Sequence, residues 1–471
     1  MKLPTHKTKI VATLGPATSS RQIMARLLRA GMSVARLNLS HGDAASHRRL
    51  VADLRAVAER QDRPVGVLMD LPGPKIRIGK LVVPYLDLRR GDAITLRLGS
   101  RAGDADTLYT ACRPLIRALQ KGDLIYLADG VIQLRVEECL GDGVRCRVKV
   151  GGELRPGKGI SAPGVTVNLP ALTARDRRLL RLAMEIGADL VSVSFVRSAA
   201  DVRQVKRLLR AADNNALVIA KIERREAVEE IEAILEEADG LMVARGDLGV
   251  ETPIAGVPML QKRLIAAANA AGKPVITATQ MLDSMIDNAR PTRAEVADIA
   301  NAIVDGTDAV MLSDETAVGA YPVEAVRMMA AVATDTEAAL KDQQEWRLCD
   351  AIIRGTITEA ISRSVAQAAA VLNARAILAP THTGSTARSI AKQRPLPWIF
   401  SYSSRQQVCN GLMLSYGVWP FRREVEDSQH EGWFELLRRA RLLRRGETVI
   451  LTWGRMVGQS GETHAMRVES A

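Results

Sequence analysis

Short apolar runs alternate with amphipathic segments along most of this chain, and this alternation constrains its fold more than any other feature. Such runs are typical of strands buried on both faces, and the segments between them have the spacing of helices. The alternation stops after three units and resumes after residue 168, for five more. The eight strands are predicted at residues 8–14, 34–39, 65–71, 190–196, 217–223, 240–245, 274–280 and 309–313.

Eight parallel strand–helix units that close on themselves form a (β/α)8 TIM barrel, which is the fold we predict. An open doubly wound sheet is the weaker alternative, because no GxGxxG sequence follows an early strand. Residues 72–168 are rich in glycine and proline and alternate like a small all-β unit. We therefore predict an α/β protein with a barrel at 1–71 and 169–342, an inserted β-rich domain at 72–168 and a C-terminal α/β domain at 343–471.

Composition narrows the classes of partner. The chain has 471 residues and a formal net charge of +12, which points to anionic partners. A nucleic-acid-binding protein is a distant alternative, because aromatic residues make up only 3% and no recognition motif is present. No stretch approaches the ~20 apolar residues of a membrane span, and residues 1–15 lack the apolar core of a signal peptide. The five cysteines have no CxxC spacing, so we expect reduced thiols, a cytoplasmic location and no membrane partner.

Polar residues interrupt the buried pattern at the strand ends, where barrel enzymes hold their active sites. Arg36, Asn38 and Ser40 alternate along one face of the second strand, ahead of His41. Such a polar stripe in a strand set for burial is either a satisfied internal network or a site for an anion or ion. We favour the binding site.

The fifth and sixth strands carry charged residues at their ends. Lys221 and Glu223 share one face, and Asp247 follows the next strand. Two carboxylates from adjacent strands suit a hard divalent cation such as Mg²⁺, and the lysine can stabilise an oxyanion or a transferring phosphoryl group. A structural Lys–Glu ion pair is the alternative. Thr277 and Thr279, on one face of the seventh strand, offer hydroxyls as donors or proton relays.

The ordered set of strand-end sequences resembles the pyruvate kinases. It comprises KTKIVATLGP at 7–16, ARLNLSHG at 35–42, AKIE at 220–223, MVARGDLG at 242–249, TATQM at 277–281 and PTRAEV at 291–296. The resemblance covers nearly the whole chain, and it implies transfer of the phosphoryl group of phosphoenolpyruvate to ADP, giving pyruvate and ATP in the last step of glycolysis. A Mg²⁺-dependent barrel aldolase that handles enolates is the alternative, but it accounts for neither the inserted nor the C-terminal domain.

Carried over residue by residue, the resemblance assigns roles to the strand-end side chains. It implies three catalytic residues, which are Arg36, Lys221 and Thr279. The implied substrate-binding residues are Arg36, Lys221, Ala244, Arg245, Gly246 and Thr279; the nucleotide-binding residues are Asn38, His41, Arg77 and Lys158; and the Mg²⁺ ligands are Glu223 and Asp247, with Mn²⁺ as an alternative metal. It also implies that the β-rich domain is a lid over the nucleotide and that the enzyme is a homotetramer.

The segment after the third strand departs from the family pattern. Many relatives have Thr where Leu71 stands and Glu where Lys75 stands, and those bind an activating K⁺. Asn38, Ser40 and Asp70 match K⁺ ligands and persist in this chain. The ammonium group of Lys75 would enter that region, so we predict that activity does not require K⁺.

A loop in the C-terminal domain resembles the family's effector site. Its hydroxyls and backbone N–H groups are typical of phosphate binding, although a plain capped loop is the alternative. The predicted sugar-phosphate or AMP contacts are Thr381, His382, Thr383, Gly384, Ser385 and Thr386, with Trp453 and Arg455 near a second segment. The basic run at 438–445 is expected to be a solvated helix face.

Overall fold

The structure, a computed structural model, describes residues 3–347, 355–423, 430–454 and 463–471. Its first block contains three strand–helix units: β1 (Lys9–Thr13), α1 (Arg21–Ala30), β2 (Met32–Asn38), α2 (Ala44–Arg60) and β3 (Gly66–Leu71). Helix α2 begins with a reciprocal capping pair, because Asp43 accepts the N–H of Ser46 and the hydroxyl of Ser46 accepts the N–H of Asp43. Such a pair satisfies N–H groups that the first turn of a helix leaves free.

The chain then leaves the barrel and builds the β-rich insertion. Its elements are β4 (Leu86–Leu88), β5 (Ala93–Leu98), β6 (Thr107–Thr110), α3 (Arg113–Ala118), β7 (Leu124–Leu127), β8 (Ile132–Cys139), β9 (Gly143–Val150), β10 (Gly152–Leu154) and β11 (Ile160–Ser161). Six strands form one sheet in the order β11-β7-β8-β9-β5-β6, and β10 pairs with β4. The insertion has its own apolar core, which includes Leu96, Leu134 and Val144.

The second block returns to strand–helix units. Its elements are α4 (Ala174–Ile186), β12 (Leu190–Val193), α5 (Ala199–Ala211), β13 (Leu217–Ile222), α6 (Arg225–Glu229), α7 (Ile231–Glu237), β14 (Gly240–Ala244), α8 (Arg245–Glu251), α9 (Val257–Ala270), β15 (Val275–Ala278), α10 (Arg293–Val304), β16 (Ala309–Leu312), α11 (Asp314–Ala317) and α12 (Pro322–Arg347). Eight parallel strands close in the order β1-β16-β15-β14-β13-β12-β3-β2. The predicted barrel, with its insertion after the third strand, is confirmed.

One helical segment of the barrel is broken, and two strands end two or three residues before their predicted bounds. The helical segment between β13 and β14 is broken at Glu230 into α6 and α7. Strand β12 ends at Val193 because Phe195 adopts a φ of 56°, and β15 ends at Ala278 because Thr279 adopts a φ of 69°. Left-handed conformations end the extended backbone, and for a bulky or β-branched residue they are strained.

The C-terminal domain is a five-stranded sheet with helices. Its elements are α13 (Ile357–Val371), β17 (Ala376–Pro380), α14 (Ser385–Ala391), β18 (Trp398–Ser403), α15 (Gln406–Leu412), β19 (Val418–Arg422), α16 (His430–Arg439), β20 (Thr448–Gly454) and β21 (Thr463–Ser470). The strand order is β19-β18-β17-β20-β21, with β21 antiparallel. No helix among the described residues is both long and apolar enough to span a membrane.

This domain packs against the end of the barrel at which the strands begin. Lys9, the first residue of β1, donates its ammonium hydrogen to the carbonyl of Val418 at 2.6 Å, and Asp308 pairs with Arg394. The apolar residues inside the barrel, such as Val11 and Ile276, belong to one continuous core with residues of the C-terminal sheet. The active-site end of the barrel is therefore the opposite one, toward the insertion.

Candidate active site

Asp70, the penultimate residue of β3, lies at the centre of a buried network. Its Oδ2 accepts two hydrogen bonds from Arg36, at 2.6 and 3.0 Å, and its Oδ1 accepts the hydroxyl of Ser192 at 2.6 Å. Lys221 lies 3.4 Å from the same carboxylate. Burial acts to raise the pKa of Asp70, but Lys221 and Arg36 outweigh it and the pKa is lowered. Asp70 is thus an ionised anchor for two cations.

Lys221, the penultimate residue of β13, points into the same network. Its ammonium donates to the hydroxyl of Ser194 at 2.6 Å and lies 3.0 Å from the carboxylate of Glu223. Burial acts to lower the pKa of Lys221, but Asp70 and Glu223 more than compensate, so the pKa is raised. The group therefore stays charged, as stabilisation of an oxyanion requires.

Glu223 and Asp247 stand at the ends of neighbouring strands. Glu223 is 1% exposed and accepts the backbone N–H of Phe195 at 2.6 Å, whereas the side chain of Asp247 is 31% exposed. Burial, together with the charge of Asp247, raises the pKa of Glu223 despite Lys221. The two carboxylates form an oxygen donor set suited to Mg²⁺, which keeps several waters and needs few protein ligands.

That donor set is small. No group of three or more His, Cys, Asp or Glu side chains in the described part of the chain is arranged to hold a metal. The residues present therefore fit a hard cation that shares its remaining positions with water and substrate, and they do not form a closed structural site.

The start of α8 and the end of β15 meet beside these carboxylates. The hydroxyl of Thr279 accepts the N–H of Gly246 at 2.8 Å and donates to the carbonyl of Ala278 at 2.6 Å. The guanidinium of Arg245 is turned away, toward Asp298 at 2.6 Å. Only the backbone of Arg245 is available to a ligand here.

The sequence predicted that Thr277 and Thr279 share one face of the strand, but in the structure they do not. The hydroxyl of Thr277 bonds instead to Thr307 at 3.0 Å.

Lys75 connects the insertion to the mouth of the barrel. Its ammonium lies 3.3 Å from Asp247 and 3.4 Å from Asp129, a residue between β7 and β8 of the insertion. Burial acts to lower the pKa of Lys75, but these two carboxylates raise it. No hydrogen bond or ion pair joins its described side chain to the region of Asp70, so the ammonium sits toward the Glu223–Asp247 pair.

The other residues of the expected K⁺ region do not surround a common point with their side-chain oxygens. The side-chain oxygen of Asn38 accepts the N–H of Ser40 at 3.1 Å, and Ser40 lies beyond the end of β2. Leu71 is 1% exposed and belongs to the apolar core.

The residues expected to face the nucleotide fall into two groups. Arg77 and Lys158 are brought together on paired segments at the base of the insertion, because the N–H of Ile78 bonds to the carbonyl of Lys158 at 3.0 Å. Both side chains are exposed. Asn38 and His41 stand at the end of β2, on the barrel side.

Sequence reasoning missed three residues that contact the candidate site residues, namely Ser192, Ser194 and Asp129. Ser192 and Ser194 alternate on β12 and just beyond it, and a period-2 serine pattern was the available signal. Asp129 lies far along the chain, in a turn that carries no recognisable motif.

The loop expected to bind an effector connects β17 to α14. Thr381 accepts the N–H of Gly384 at 2.9 Å, Thr386 bonds to Thr463 at 3.1 Å, and Ser385 is exposed. Trp453 lies on β20, and Arg455 is outside the described residues.

The remaining expected feature is the basic run at 438–445. Helix α16 ends within it, at Arg439, and both Arg438 and Arg439 pair with Glu435 on the same helix.

Comparisons with known proteins agree along the whole chain. The family model described as "Pyruvate kinase, barrel domain" matches residues 5–326, and the one described as "Pyruvate kinase, alpha/beta domain" matches residues 359–469. A pyruvate kinase of Thermococcus litoralis is 46% identical over 99% of this chain and 99% of its own length, and one of Geobacillus stearothermophilus is 44% identical over 98% of this chain and 80% of its own. The crystal structure of a pyruvate kinase from Cryptosporidium parvum matches with a TM-score of 0.91 at 33% identity, covering 99% of this chain and 96% of that one.

Proposed function

The chain belongs to the pyruvate kinase family, and from that premise we propose how its own residues divide the work of the reaction. It is a phosphotransferase that converts phosphoenolpyruvate and ADP into pyruvate and ATP. The aldolase and nucleic-acid alternatives are not favoured, since relatives that match nearly the whole of this chain at 40–46% identity are pyruvate kinases.

Arg36 and Lys221 hold and neutralise the phosphoryl group in this proposal. Both are anchored on Asp70 in a buried setting, where charge stabilisation is stronger than in water. Phosphoryl transfer needs little covalent help from a protein, so positioned cations are its main catalytic requirement. Lys221 would also stabilise the enolate that remains when the phosphoryl group has left.

Glu223 and Asp247 would hold the divalent cation. When bound, Mg²⁺ would supply positive charge that stabilises the anionic groups of the substrate. Lys221 contacts Glu223 and Lys75 contacts Asp247, so both ligands already carry cationic partners. Mn²⁺ would suit the same oxygen ligands.

The backbone of Ala244, Arg245 and Gly246 would orient the substrate carboxylate together with Thr279. Thr279 has a hydroxyl already held by the N–H of Gly246, which fixes where its own hydrogen can point. We assign it to the path that delivers a proton to the enolate carbon. That proton completes pyruvate after the phosphoryl group has moved.

The nucleotide would lie between the barrel and the insertion, which we propose acts as a lid at 72–168. Asn38 and His41 would contact it from the barrel, and Arg77 and Lys158 from the base of the lid. Closure would exclude water, which otherwise competes for the phosphoryl group. We divide the rest of the chain into the barrel at 1–71 and 169–342 and a regulatory domain at 343–471.

We also propose that the enzyme works without K⁺, because Lys75 places a fixed ammonium beside Asp247. Asn38, Ser40, Asp70 and Leu71 would then form a vestigial cation region. Asp70 supports this reading, because Arg36 and Lys221 already occupy its carboxylate.

Regulation, assembly and location are further parts of the proposal. A sugar phosphate or AMP would act at residues 381–386, with Trp453 and Arg455 nearby. A homotetramer rests on the family resemblance, and light scattering after gel filtration tests it. A cytoplasmic location is supported by the free thiols of the four described cysteines.

The observation that carries the catalytic assignment is the contact of Lys221 with Asp70, Ser194 and Glu223. The test is formation of pyruvate from phosphoenolpyruvate, measured with and without ADP. Lys221→Met should lower kcat at least about a hundredfold with a smaller effect on KM, because a charge at the transition state is lost. Turnover near that of the wild type would remove Lys221 from the mechanism, and ADP-independent pyruvate would revive the aldolase.

A further inference from the structure

A cavity of about 380 Å³ lies between the barrel and the C-terminal domain, away from the active-site end. The barrel contributes Lys206 and Arg210 from α5, with Asp239 before β14, and the C-terminal domain contributes His382, Arg388 and Arg405. A cavity of this size suits a small molecule and not a macromolecule.

The charges that line this interdomain cavity do not balance. Lys206 is paired with Asp239, at 2.7 Å, and with the carbonyl of Glu237. No carboxylate of the described residues lies within ion-pair distance of the guanidinium groups of Arg210, Arg388 or Arg405. Three arginines therefore face a cavity whose single carboxylate already has a partner.

Arg388 is the innermost of the three. It donates to the carbonyl of Thr383 at 3.0 Å, and burial lowers its pKa, with Asp239 acting weakly against that effect. Burial lowers the pKa of the nearby Lys273; Asp239 and Glu237 act against this effect, and the charges of Lys206 and Arg388 add to it. These cations thus repel one another, and an anion among them would relieve the repulsion.

We propose that the interdomain cavity binds a small phosphate-bearing molecule, which the guanidinium groups of Arg210, Arg388 and Arg405 recognise. Guanidinium groups match phosphate oxygens with paired hydrogen bonds, which makes arginine the preferred residue for this contact. The inference deepens the effector role proposed above and rests on it in one respect, because His382 and Thr383 belong both to the loop and to the cavity. It adds contacts from the barrel, which the loop alone does not provide.

The position of the cavity also gives the ligand a physical connection to catalysis. Residues 214–217, which lead into β13, line it, and the same strand carries Lys221 near its other end. A molecule that joins α5 to the C-terminal domain would restrain the start of β13.

The test compares binding of ribose 5-phosphate, AMP and inorganic phosphate by isothermal titration calorimetry, together with turnover at subsaturating phosphoenolpyruvate. The variant Arg210→Ala/Arg405→Ala removes two exposed cations that form no ion pair with any described residue, so the fold should survive; circular dichroism checks this. The dissociation constant of the tightest probe should rise about tenfold or more, because charge-assisted hydrogen bonds to the phosphate are lost. Arg207→Ala, an exposed arginine of α5 outside the cavity, is the matched control and should bind the probe as the wild type does.

The outcomes separate this inference from the effector role of the loop. If Ser385→Ala/Thr386→Ala loses affinity while Arg210→Ala/Arg405→Ala binds like the wild type, the cavity proposal is overturned and the loop keeps its role. If only the arginine variant loses affinity, the cavity proposal stands and the loop fails. If no probe binds the wild type, both are overturned.

Discussion

Ser192 donates its hydroxyl hydrogen to Oδ1 of Asp70 across 2.6 Å, from the strand next to β3 in the barrel. The two residues are direct register partners, and Ser192 is fully buried. Because this bond occupies Oδ1, the carboxylate is rotated so that Oδ2 meets Arg36. A residue that touches no substrate in the proposed mechanism thus orients the anchor of two catalytic cations.

Ser192→Ala should lower kcat/KM about tenfold, because a buried hydrogen bond to a charged group is worth about 1.5–3 kcal/mol and Asp70 keeps its other partners. Steady-state kinetics measure this, and Ser192→Thr should restore part of the loss. Ser362→Ala is the matched control, since that buried serine of the C-terminal domain has no hydrogen-bond partner among the described residues. An unchanged kcat/KM in Ser192→Ala would show that Asp70 needs no such support.

Glu223→Gln and Asp247→Asn should each raise the Mg²⁺ concentration for half-maximal activity by at least about tenfold, because each removes one charged oxygen ligand. Metal titrations at saturating substrates measure it. Glu185→Gln, which alters an exposed carboxylate paired with Arg48, is the control. If the two variants need no more metal than the control, the cation binds elsewhere.

Replacing K⁺ by tetramethylammonium should leave most of the wild-type turnover, because Lys75 supplies a fixed positive charge near Asp247. Lys75→Met should lose turnover in tetramethylammonium, whereas Lys80→Met, at an exposed lysine of the insertion, should not. A near-complete loss in the wild type that K⁺ restores would contradict the prediction.

The free energy of unfolding should rise with pH above neutrality because of Lys9. Burial lowers the pKa of Lys9 to about 7, despite Glu337 and Asp308, while in the unfolded chain it is ~10.4. Between these values the unfolded chain binds one more proton than the folded one, so stability increases with pH, by at most about 1.4 kcal/mol per unit. Below the folded pKa this contribution to the slope vanishes.

Urea unfolding from pH 6 to pH 9 measures that slope. Lys9→Met should flatten it and leave the smaller rise due to Lys7, whose pKa is lowered to about 8 by burial. Lys149→Met, at an exposed lysine of the insertion, should keep the wild-type slope. Equal slopes in Lys9→Met and the wild type would mean that Lys9 stays protonated in the fold.

The barrel and most strand-end residues could be predicted because their signals are local. Lys221 and Glu223 interrupt an apolar strand, and that contrast is visible in the sequence itself. The roles of Ser192 and Ser194 depend on partners from β3 and β13, which a strand pattern does not specify. The left-handed backbone at Phe195 and Thr279 depends equally on tertiary contacts, such as the bond from Phe195 to Glu223.

One strand of the C-terminal domain is hard to predict from the sequence because it contains a proline. Strand β19 contains Pro420, which argues against a strand in the middle of a sheet. The structure places β19 at the edge, where proline is tolerated because one side needs no hydrogen bonds. Which strand becomes an edge is decided by the assembled sheet.

The core shared by the barrel interior and the C-terminal sheet has a consequence for the cooperativity of folding. Side chains inside the barrel, such as Val11 and Ile276, belong to the same apolar cluster as Phe400 and Trp419 of the other domain. A chain truncated after α12 would expose the apolar end of the barrel interior to water. The two domains should therefore unfold in a single thermal transition. A substitution that destabilises either domain should also destabilise the N-terminal ends of the barrel strands that carry the active-site residues.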